Sequence, residues 1–391
     1  MSHKRVVVIG SGVAGASTAF ALARRGAQVT IVDAAEPAAA TLAGAGIIQP
    51  WSSSIDGAYY ELYARGADYY PTLLANLAQD GVSDVGFRRT GAIVVSDDVQ
   101  TLNTTEARLR ERAQRHPIAG EVRRLSADEA QSLFPVLRSG LAGIWIEGAA
   151  RVDGRSLRIG LLSAAERRDA RMLTGSATIQ PSGSGHPTVR IGTRPEIGPD
   201  DVDADIVADA IVVAAGAWTN TVLEPLGVQI GVSPQRGQIS HLRVTGDTSG
   251  WPSVSPIGSH YLVAFDDSRV VVGATREADA GFDARVTAAG QREVLDAALA
   301  TAPALADATL IETRVGLRPL SDDGLPQIGA VPGQSNVFVA TGFGAGGLTM
   351  GPVVGDLLAA VIADADADAS DVLAQFAPRL RSAGSALNTR S

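Results

Sequence analysis

The chain has 391 residues, of which 45% are hydrophobic and 19% are charged, and its formal net charge at pH 7 is −9. This length allows one large or two ordinary domains, and the acidic balance argues against nucleic acid or an anionic membrane surface as a partner. The absence of cysteine excludes disulfides, thiolate catalysis, iron–sulfur clusters and cysteine-bound zinc. Lys4 is the only lysine, so the chain can build neither a P-loop nor a pyridoxal Schiff base. The five histidines show no ligand spacing, and we expect no metal site.

The first predicted unit consists of a strand, a glycine turn, a helix and a second strand. The β-branched run Val6–Ile9 is typical of a buried parallel strand. The turn Gly10–Gly15 reads G-x-G-x-x-G, and the helix that follows is predicted to end near Arg25. Val29–Val32 predict the second strand, and Asp33 closes it. This complete arrangement is a dinucleotide-binding unit, for which the glycine pattern alone would be weak evidence.

Each glycine of this turn has a physical role. Gly10 permits the tight turn, Gly12 lets the backbone approach a pyrophosphate, and Gly15 lets the helix pack on the strand. The helix N-terminus offers free amides to the anion. Asp33 can accept hydrogen bonds from ribose hydroxyls and would repel a 2′-phosphate.

The stretch from Val6 to Ala23 has no charge and follows Lys4 and Arg5, so it imitates a secretory signal. Its glycines stand where the nucleotide-binding turn needs them. We therefore interpret it as part of the first unit and expect a cytoplasmic protein that does not enter a membrane.

Two later segments are also predicted to form a strand followed by a glycine turn. Ala210–Val213 predict a strand before Ala215 and Gly216, and the run "SNVFVATGFGAGG" predicts another near the end of the chain. Between these α/β pieces, four alternating or β-branched runs predict an antiparallel sheet: "RTGAIVVS", "QISHLRV", "HYLVAF" and "SRVVVGATR". The chain is therefore predicted to form two interleaved domains. We assign residues 1–86, 145–219 and 309–391 to a nucleotide-binding domain, and residues 87–144 and 220–308 to a substrate-binding domain.

Seven spaced elements occur in one order along nearly the whole chain: "GSGVAG", "ATLAGAGIIQP", "VVAAGAWT", "PQRGQ", "YLVAF" with "VVVGAT", "GLRPLSDDGLPQIG" and "GFGAGG". In this it resembles the D-amino-acid oxidase and glycine oxidase family of FAD-dependent amine oxidoreductases, and most of all glycine oxidase and the bacterial D-amino-acid dehydrogenases. The resemblance implies an α/β fold, in which a Rossmann-like FAD-binding domain is interleaved with a mainly antiparallel β-sheet substrate domain.

The resemblance also implies where FAD binds. The terminal "GFGAGG" would be the last strand, turn and helix of the FAD domain, with the helix N-terminus near Leu348 aimed at the flavin's pyrimidine edge. A helix N-terminus there would stabilise the negative charge of the reduced flavin. Without cysteine, the FAD is expected to be non-covalent. The residues implied at the cofactor are, in chain order, Gly10, Gly12, Val13, Ala14, Gly15, Asp33, Ala34, Thr41, Ala45, Gly46, Ile48, Ala177, Ala215, Gly216, Trp218, Gly344, Ala345, Gly346, Gly347, Leu348 and Thr349.

Four residues are candidates for the substrate site. Arg318 and Tyr261 match the family's catalytic and carboxylate-binding positions, although a structural ion pair for Arg318 and a core position for Tyr261 are the alternatives. Arg276 departs from the family, which commonly has a neutral side chain there. It would receive a second acidic group or face solvent. Trp51 would form a pocket wall or lid, or pack in the core.

The implied reaction is oxidative deamination of a small carboxylate-bearing amine: glycine, an N-substituted glycine or a D-amino acid. A hydride would pass to flavin N5, water would hydrolyse the imine, and O2 would reoxidise the flavin with release of H2O2. The alternative is a D-amino-acid dehydrogenase that passes electrons to a quinone or other carrier. The sequence does not determine the oligomeric state, and a homo-oligomer is one of the options.

Overall fold

The structure is a computed structural model of the chain, and the description below is of residues 4–180, 187–192, 204–258 and 260–381. The α-helices of these residues are α1 (Val13–Arg24), α2 (Ala58–Gln79), α3 (Val99–Arg115), α4 (Ala127–Leu133), α5 (Gly154–Glu166), α6 (Thr219–Leu223), α7 (Ala288–Thr301), α8 (Gly347–Ala359) and α9 (Ala367–Ala374). The strands are β1 (Arg5–Ile9), β2 (Gln28–Asp33), β3 (Ile47–Ile48), β4 (Ala92–Ser96), β5 (Val122–Leu125), β6 (Ala142–Ile146), β7 (Ala150–Arg151), β8 (Arg171–Thr174), β9 (Ser176–Gln180), β10 (Thr188–Gly192), β11 (Ala204–Val207), β12 (Ala210–Val213), β13 (Val232–Arg243), β14 (Ser253–Pro256), β15 (Tyr261–Ala264), β16 (Arg269–Gly273), β17 (Thr309–Ser321), β18 (Gln327–Val331) and β19 (Gln334–Thr341).

The first sheet has the strand order β18-β19-β12-β1-β2-β8, and every pair is parallel except the edge pair β18–β19. β1 lies between β12 and β2, with its valines buried, so the run Val6–Ile9 needs no polar alternation. The predicted first unit is confirmed: α1 begins at Val13 and ends at Arg24. The strand predicted at Ala210–Val213 is β12, and the last predicted strand is β19.

The second sheet has the order β17-β13-β16-β15-β14-β4-β6-β5, and only the pair β14–β4 is parallel. The four runs predicted as antiparallel strands form β4, β13, β15 and β16. The expected architecture, a mostly parallel sheet interleaved along the chain with a mainly antiparallel one, is confirmed. β17 lies in the part of the chain that was assigned to the nucleotide-binding domain, but it pairs with β13 of the second sheet. The residue bounds of the two domains stay a prediction.

Helix α8 packs directly on α1 through a row of glycines. Gly347, Gly351 and Gly355 recur every four residues, which places them on one face of α8. A Cβ at Gly355 would lie 2.6 Å from the backbone nitrogen of Thr18 in α1, and one at Gly351 would lie 3.0 Å from Val13 Cγ1. The two helices approach this closely because the α8 positions carry no side chains.

Helix α2 also packs on α8, and it holds the start of that helix. The hydroxyl of Tyr70 donates to the carbonyl of Leu348 at 2.7 Å, and a Cβ at Gly66 would overlap the carbonyl oxygen of Thr349. The stretch Gly344–Asp364 is long and apolar enough to cross a membrane, with a mean hydropathy of 1.6, but 78% of its most apolar window is buried inside the fold. Such burial is typical of a core helix.

We predict that Gly355→Ala lowers the free energy of unfolding by about 1–3 kcal/mol, because the added methyl overpacks the contact with α1. Denaturant unfolding with unchanged m-value would measure the loss. Gly250→Ala is the control, since nothing lies within 4 Å of a Cβ at that position. An equal, small effect of the two changes would mean that the helices can separate without cost.

Candidate active site

A cavity of about 870 Å³ lies between the two sheets. On one side it is lined by residues at the carboxyl ends of β1, β2, β12 and β19, where open α/β sheets bind their ligands. On the other side it is lined by residues of β13, β17 and the turn after β16. A ligand in this cavity would therefore touch both sheets.

The N-terminus of α1 opens into one end of the cavity. Gly12 is its N-cap and provides no side chain, and Gly12, Val13 and Ala14 all line the cavity. The amide of Val13 donates to Thr41 Oγ1 at 2.9 Å, and a Cβ at Gly12 would lie 3.3 Å from the same oxygen. This backbone cradle, open because position 12 has no side chain, fits the diphosphate of a dinucleotide.

Asp33 lies at the end of β2, beside this cradle. Its Oδ2 accepts from the amide and hydroxyl of Ser11 at 2.5 and 2.6 Å, and its Oδ1 accepts from the amide of Ala35 at 2.7 Å. Arg158 in turn donates to the Ser11 carbonyl at 2.8 Å. The carboxylate is thus held at the cavity wall, and Oδ1 keeps a lone pair for a ribose hydroxyl.

The N-terminus of α8 opens into the same cavity. Its N-cap, Gly346, makes no side-chain cap, and Gly344 to Leu348 line the cavity. Two helix N-termini whose N-cap glycines supply no side chain therefore face one space. The donor set fits FAD, since one terminus suits the diphosphate and the other suits the electron-rich edge of a flavin.

Most of the residues predicted to bind FAD come together here. The cavity lining includes Gly10, Gly12, Val13, Ala14, Asp33, Ala34, Thr41, Ala45, Gly46, Ala177, Ala215, Gly216, Trp218 and Gly344 to Leu348. Gly15, Ile48 and Thr349 do not line it. Gly15 packs α1 on the Gly10 carbonyl, Ile48 is buried in β3, and the Thr349 hydroxyl donates to the Ile47 carbonyl at 3.3 Å.

Trp51 also lies off the cavity. It is 1% exposed and belongs to the core, and its carbonyl accepts from Arg112 at 2.7 Å. Trp51 was expected either to form a wall or lid of the pocket or to pack in the core, and it packs in the core. The three other predicted substrate residues, Arg318, Tyr261 and Arg276, all line the cavity.

Arg318 comes from β17 and lies flat over Gly237 of the neighbouring strand β13. A Cβ at Gly237 would overlap the guanidinium. Nη1 donates to the carbonyl of Thr275 at 2.9 Å and to Gln235 Oε1 at 3.3 Å, and no carboxylate of the described residues forms an ion pair with it. Burial lowers the pKa of Arg318, Tyr261 opposes that shift, and Arg276 adds to it. The guanidinium stays charged, since arginine does not lose its proton in proteins.

Arg276 follows β16, is exposed to solvent, and also lines the cavity. Its guanidinium makes no hydrogen bond or ion pair with the part of the chain that the structure describes. The adjacent carboxylate, Glu277, cannot serve it, because its oxygens accept from Arg236 at 2.7 Å, from Gln238 at 2.8 Å and from Thr275 at 2.7 Å. Two cations therefore share one end of the cavity without a dedicated anion.

Tyr261 begins β15 and stands beside these cations. Burial raises the pKa of its hydroxyl above the ordinary value, although Arg318 and Arg276 lower it. The hydroxyl is therefore protonated at neutral pH and can donate a hydrogen bond. A carboxylate placed among the three side chains would meet two guanidinium groups and one hydroxyl donor.

Several cavity residues had no signal in the sequence. Tyr59 and Tyr63 project from one face of α2, with ring centroids 5.8 Å apart, and Thr105 and Arg108 project from α3. Helical spacing shows which of these residues share a face. It does not show that the face meets a cavity, because that depends on how the helices pack on distant strands.

Comparisons with known proteins agree with this geometry. The family model described as FAD dependent oxidoreductase, DAO, matches residues 5–361. A Bacillus subtilis protein named uncharacterized oxidoreductase YurR is 45% identical over 362 residues, which are 92% of this chain and 95% of its own. Glycine oxidase of Pseudomonas putida is 31% identical over 361 residues, 89% of this chain and 92% of its own. The crystal structure of iminodiacetate oxidase from Chelativorans sp. BNC1 superposes with a TM-score of 0.90 at 47% identity, covering 96% of this chain and 99% of the other.

We predict that Gly12→Val abolishes FAD binding, because the side chain fills the space between α1 and Thr41 that a diphosphate needs. The measurement is the FAD released per chain by acid precipitation, which also tests non-covalent attachment. Gly250→Val, in a turn with open space around it, should keep full FAD content. A Gly12→Val protein with full FAD, or flavin that stays on the precipitate, would contradict the assignment.

Proposed function

The chain belongs to the DAO family of FAD-dependent oxidoreductases, and we propose that it oxidises a secondary amine with an N-carboxymethyl group and releases glyoxylate. The observation that carries the proposal is the cluster of Arg318, Arg276 and Tyr261 in one cavity, with the nearby Glu277 already engaged elsewhere. Such a cluster suits one substrate carboxylate, because a carboxylate accepts from a planar guanidinium in two parallel hydrogen bonds.

FAD, when bound, supplies a two-electron acceptor. The amides at the start of α1, Asp33 and the amides at the start of α8 are the groups that would hold it, at its diphosphate, ribose and flavin. The rest of the chemistry is positioning, which in well-oriented reactions accounts for much of the rate. The protein must keep the substrate's methylene carbon in one place and exclude water from it.

The three side chains divide this positioning. Arg318 is half-buried and held by two acceptors, so it gives the carboxylate a fixed anchor. Arg276 is held by no acceptor of the described residues and can close on the anion as it arrives. Tyr261 donates from a buried hydroxyl. Together they leave the amine nitrogen free, on the side of the carboxylate that faces the rest of the cavity.

The reaction balances with water as the second reactant. The substrate R–NH–CH2–COO⁻ loses two electrons and two protons to give the imine R–N=CH–COO⁻. Water then hydrolyses the imine to R–NH2 and glyoxylate. No side-chain base is required if the amine enters neutral, which agrees with a cavity whose charged substrate-side groups are cations.

The preference for a secondary amine rests on the shape of the cavity and on a relative's name. The cavity continues past the cluster toward Ser53 and α3, which leaves room for a substituent on nitrogen. The structure that superposes at a TM-score of 0.90 is called an iminodiacetate oxidase, and iminodiacetate is an N-carboxymethyl amine. Both relatives, the iminodiacetate oxidase and the glycine oxidase, are called oxidases, and these names support O2 as the electron acceptor. A D-amino-acid dehydrogenase remains the alternative.

We predict that the FAD-bound protein oxidises sarcosine and iminodiacetate to glyoxylate with release of H2O2. Glycine and D-alanine carry no substituent on nitrogen to fill the cavity. Their kcat/KM values should be lower by about tenfold or more, because one missing methylene contact is worth at least about that factor. The measurement is a panel of kcat/KM values with glyoxylate and peroxide assays. D-alanine as the best substrate would favour the alternative, as would a flavin that bleaches with substrate and does not recolour in air.

We predict that Arg318→Met lowers kcat/KM for N-carboxymethyl amines roughly 30- to 1,000-fold, since truncating one partner of a buried charge pair costs about 2–5 kcal/mol. Arg318→Lys should restore only part, because an ammonium lacks the planar fork. FAD content should not change.

The matched control is Arg243→Met, at the exposed end of the paired strand β13, which should leave kcat/KM within about twofold. A similarly small effect of Arg318→Met would make that residue structural and remove the basis of the proposal.

A further inference from the structure

The cavity has a second end that the proposed reaction does not use. Beyond the cluster of Arg318, Arg276 and Tyr261 it runs along the segment 52–55 and the side of α3, and it takes in Thr105, Arg108 and His260. Thr105, Arg108 and His260 give this end three polar side chains. Its single arginine is the residue that needs an explanation.

Arg108 is the arginine of α3 whose guanidinium has no partner among the described residues. The other arginines of this helix are all engaged: Arg110 with Glu106 at 2.8 Å, Arg112 with Asp56 and with carbonyls of the 51–55 segment, and Arg115 with Glu61 at 3.0 Å. Arg108 makes no hydrogen bond or ion pair with the residues that the structure describes, and its Nε is buried without an acceptor among them. A buried donor without an acceptor costs free energy unless a ligand supplies one.

The position of Arg108 on the helix directs it at the cavity. It lies three residues after Thr105, so the two share one face of α3, and both line the cavity. Thr105 is 8% exposed, and its hydroxyl makes no hydrogen bond to the described residues. The face therefore offers a guanidinium and a hydroxyl, which are the groups that bind a carboxylate.

The carboxylate of Asp56 does not form an ion pair with Arg108. Asp56 acts on Arg108 through its charge, but it is bound to Arg112. Burial lowers the pKa of Arg108, and the charge of Arg112 lowers it further, with Asp56 as a weaker opposing effect. An anion from outside would offset both the burial and the repulsion.

This end is distinct from the carboxylate site at Arg318. Arg318 comes from β17 and lies against Gly237 of β13, whereas Arg108 comes from α3, two of whose other arginines bind the segment 51–56 and Glu61. The two guanidinium groups are therefore held by different elements of the fold. One cavity thus holds two cationic positions, in a chain whose net charge of −9 would otherwise repel anions.

We propose that Arg108 and Thr105 form a second carboxylate subsite, which binds the acidic end of the substrate's N-substituent while Arg318, Arg276 and Tyr261 hold the N-carboxymethyl group. The inference rests on the proposed function and narrows it to dicarboxylic secondary amines. Arg108 is a specificity residue, and it does not touch the carbon that is oxidised.

The first experiment compares wild-type and Arg108→Met holoenzymes on sarcosine, iminodiacetate and N-(carboxymethyl)-β-alanine. The ratio of kcat/KM for the better dicarboxylate to that for sarcosine should fall about tenfold or more, chiefly through KM, because the lost contact is equal in the ground and transition states. Arg108→Lys should keep part of the ratio. Arg110→Met, on the exposed side of the same helix, should keep all of it.

The second experiment does not depend on turnover. Acetate, malonate, succinate and glutarate are titrated into the FAD-bound proteins, and the change in the flavin spectrum gives each dissociation constant. Arg108→Met should weaken the best-bound dicarboxylate about tenfold relative to acetate. If no N-carboxymethyl amine is oxidised, the proposed function fails while this titration still decides the subsite. Unchanged ratios in both experiments would overturn the inference.

Discussion

The close contact between α1 and α8 is the constraint on which the site depends. Gly351 and Gly355 let backbone meet backbone, with a Cβ at Gly355 only 2.6 Å from the Thr18 nitrogen. At this separation, the N-termini of both helices open into one cavity. The contact therefore brings together the amides that we expect to bind a diphosphate and those that we expect to bind a flavin, although more than 300 residues separate them in the chain.

The second sheet adds the cations that we propose bind the substrate. Arg318 can lie over β13 because Gly237 has no side chain, and the paired strands β13 and β17 hold it opposite the start of α8. Around it, Glu277 is bound by Arg236, Gln238 and Thr275, which keeps the nearest carboxylate from neutralising the site. The carboxylate of Glu277 is thus engaged in structural contacts, and positive charge is left in the cavity. A low local dielectric there strengthens the attraction between this charge and an anion.

How well the sequence predicted the site depends on how local each signal was. The turn from Gly10 to Gly15 and Asp33 are read from one short unit, and Gly10, Gly12 and Asp33 line the cavity as expected. The roles of Arg318 and Tyr261 came from resemblance, whereas Arg276 was singled out as a departure from the family, and all three residues line the cavity. Trp51 lies in the core instead, since its segment turns inward where Arg112 binds three of its carbonyls.

The sequence by itself determined the dinucleotide-binding unit and the order of the α/β pieces and antiparallel runs along the chain. These follow from glycine spacing and buried strand patterns, which are properties of neighbouring residues, while FAD as the cofactor came from the resemblance of seven spaced motifs to a known family. Only the tertiary structure decided that Arg276 reaches the cavity, that Glu277 is engaged elsewhere, and that Arg108 on α3 faces the same space. Those facts depend on contacts between distant elements, because a side chain's partner is set by the packing of whole helices and strands and not by its own neighbours in the chain.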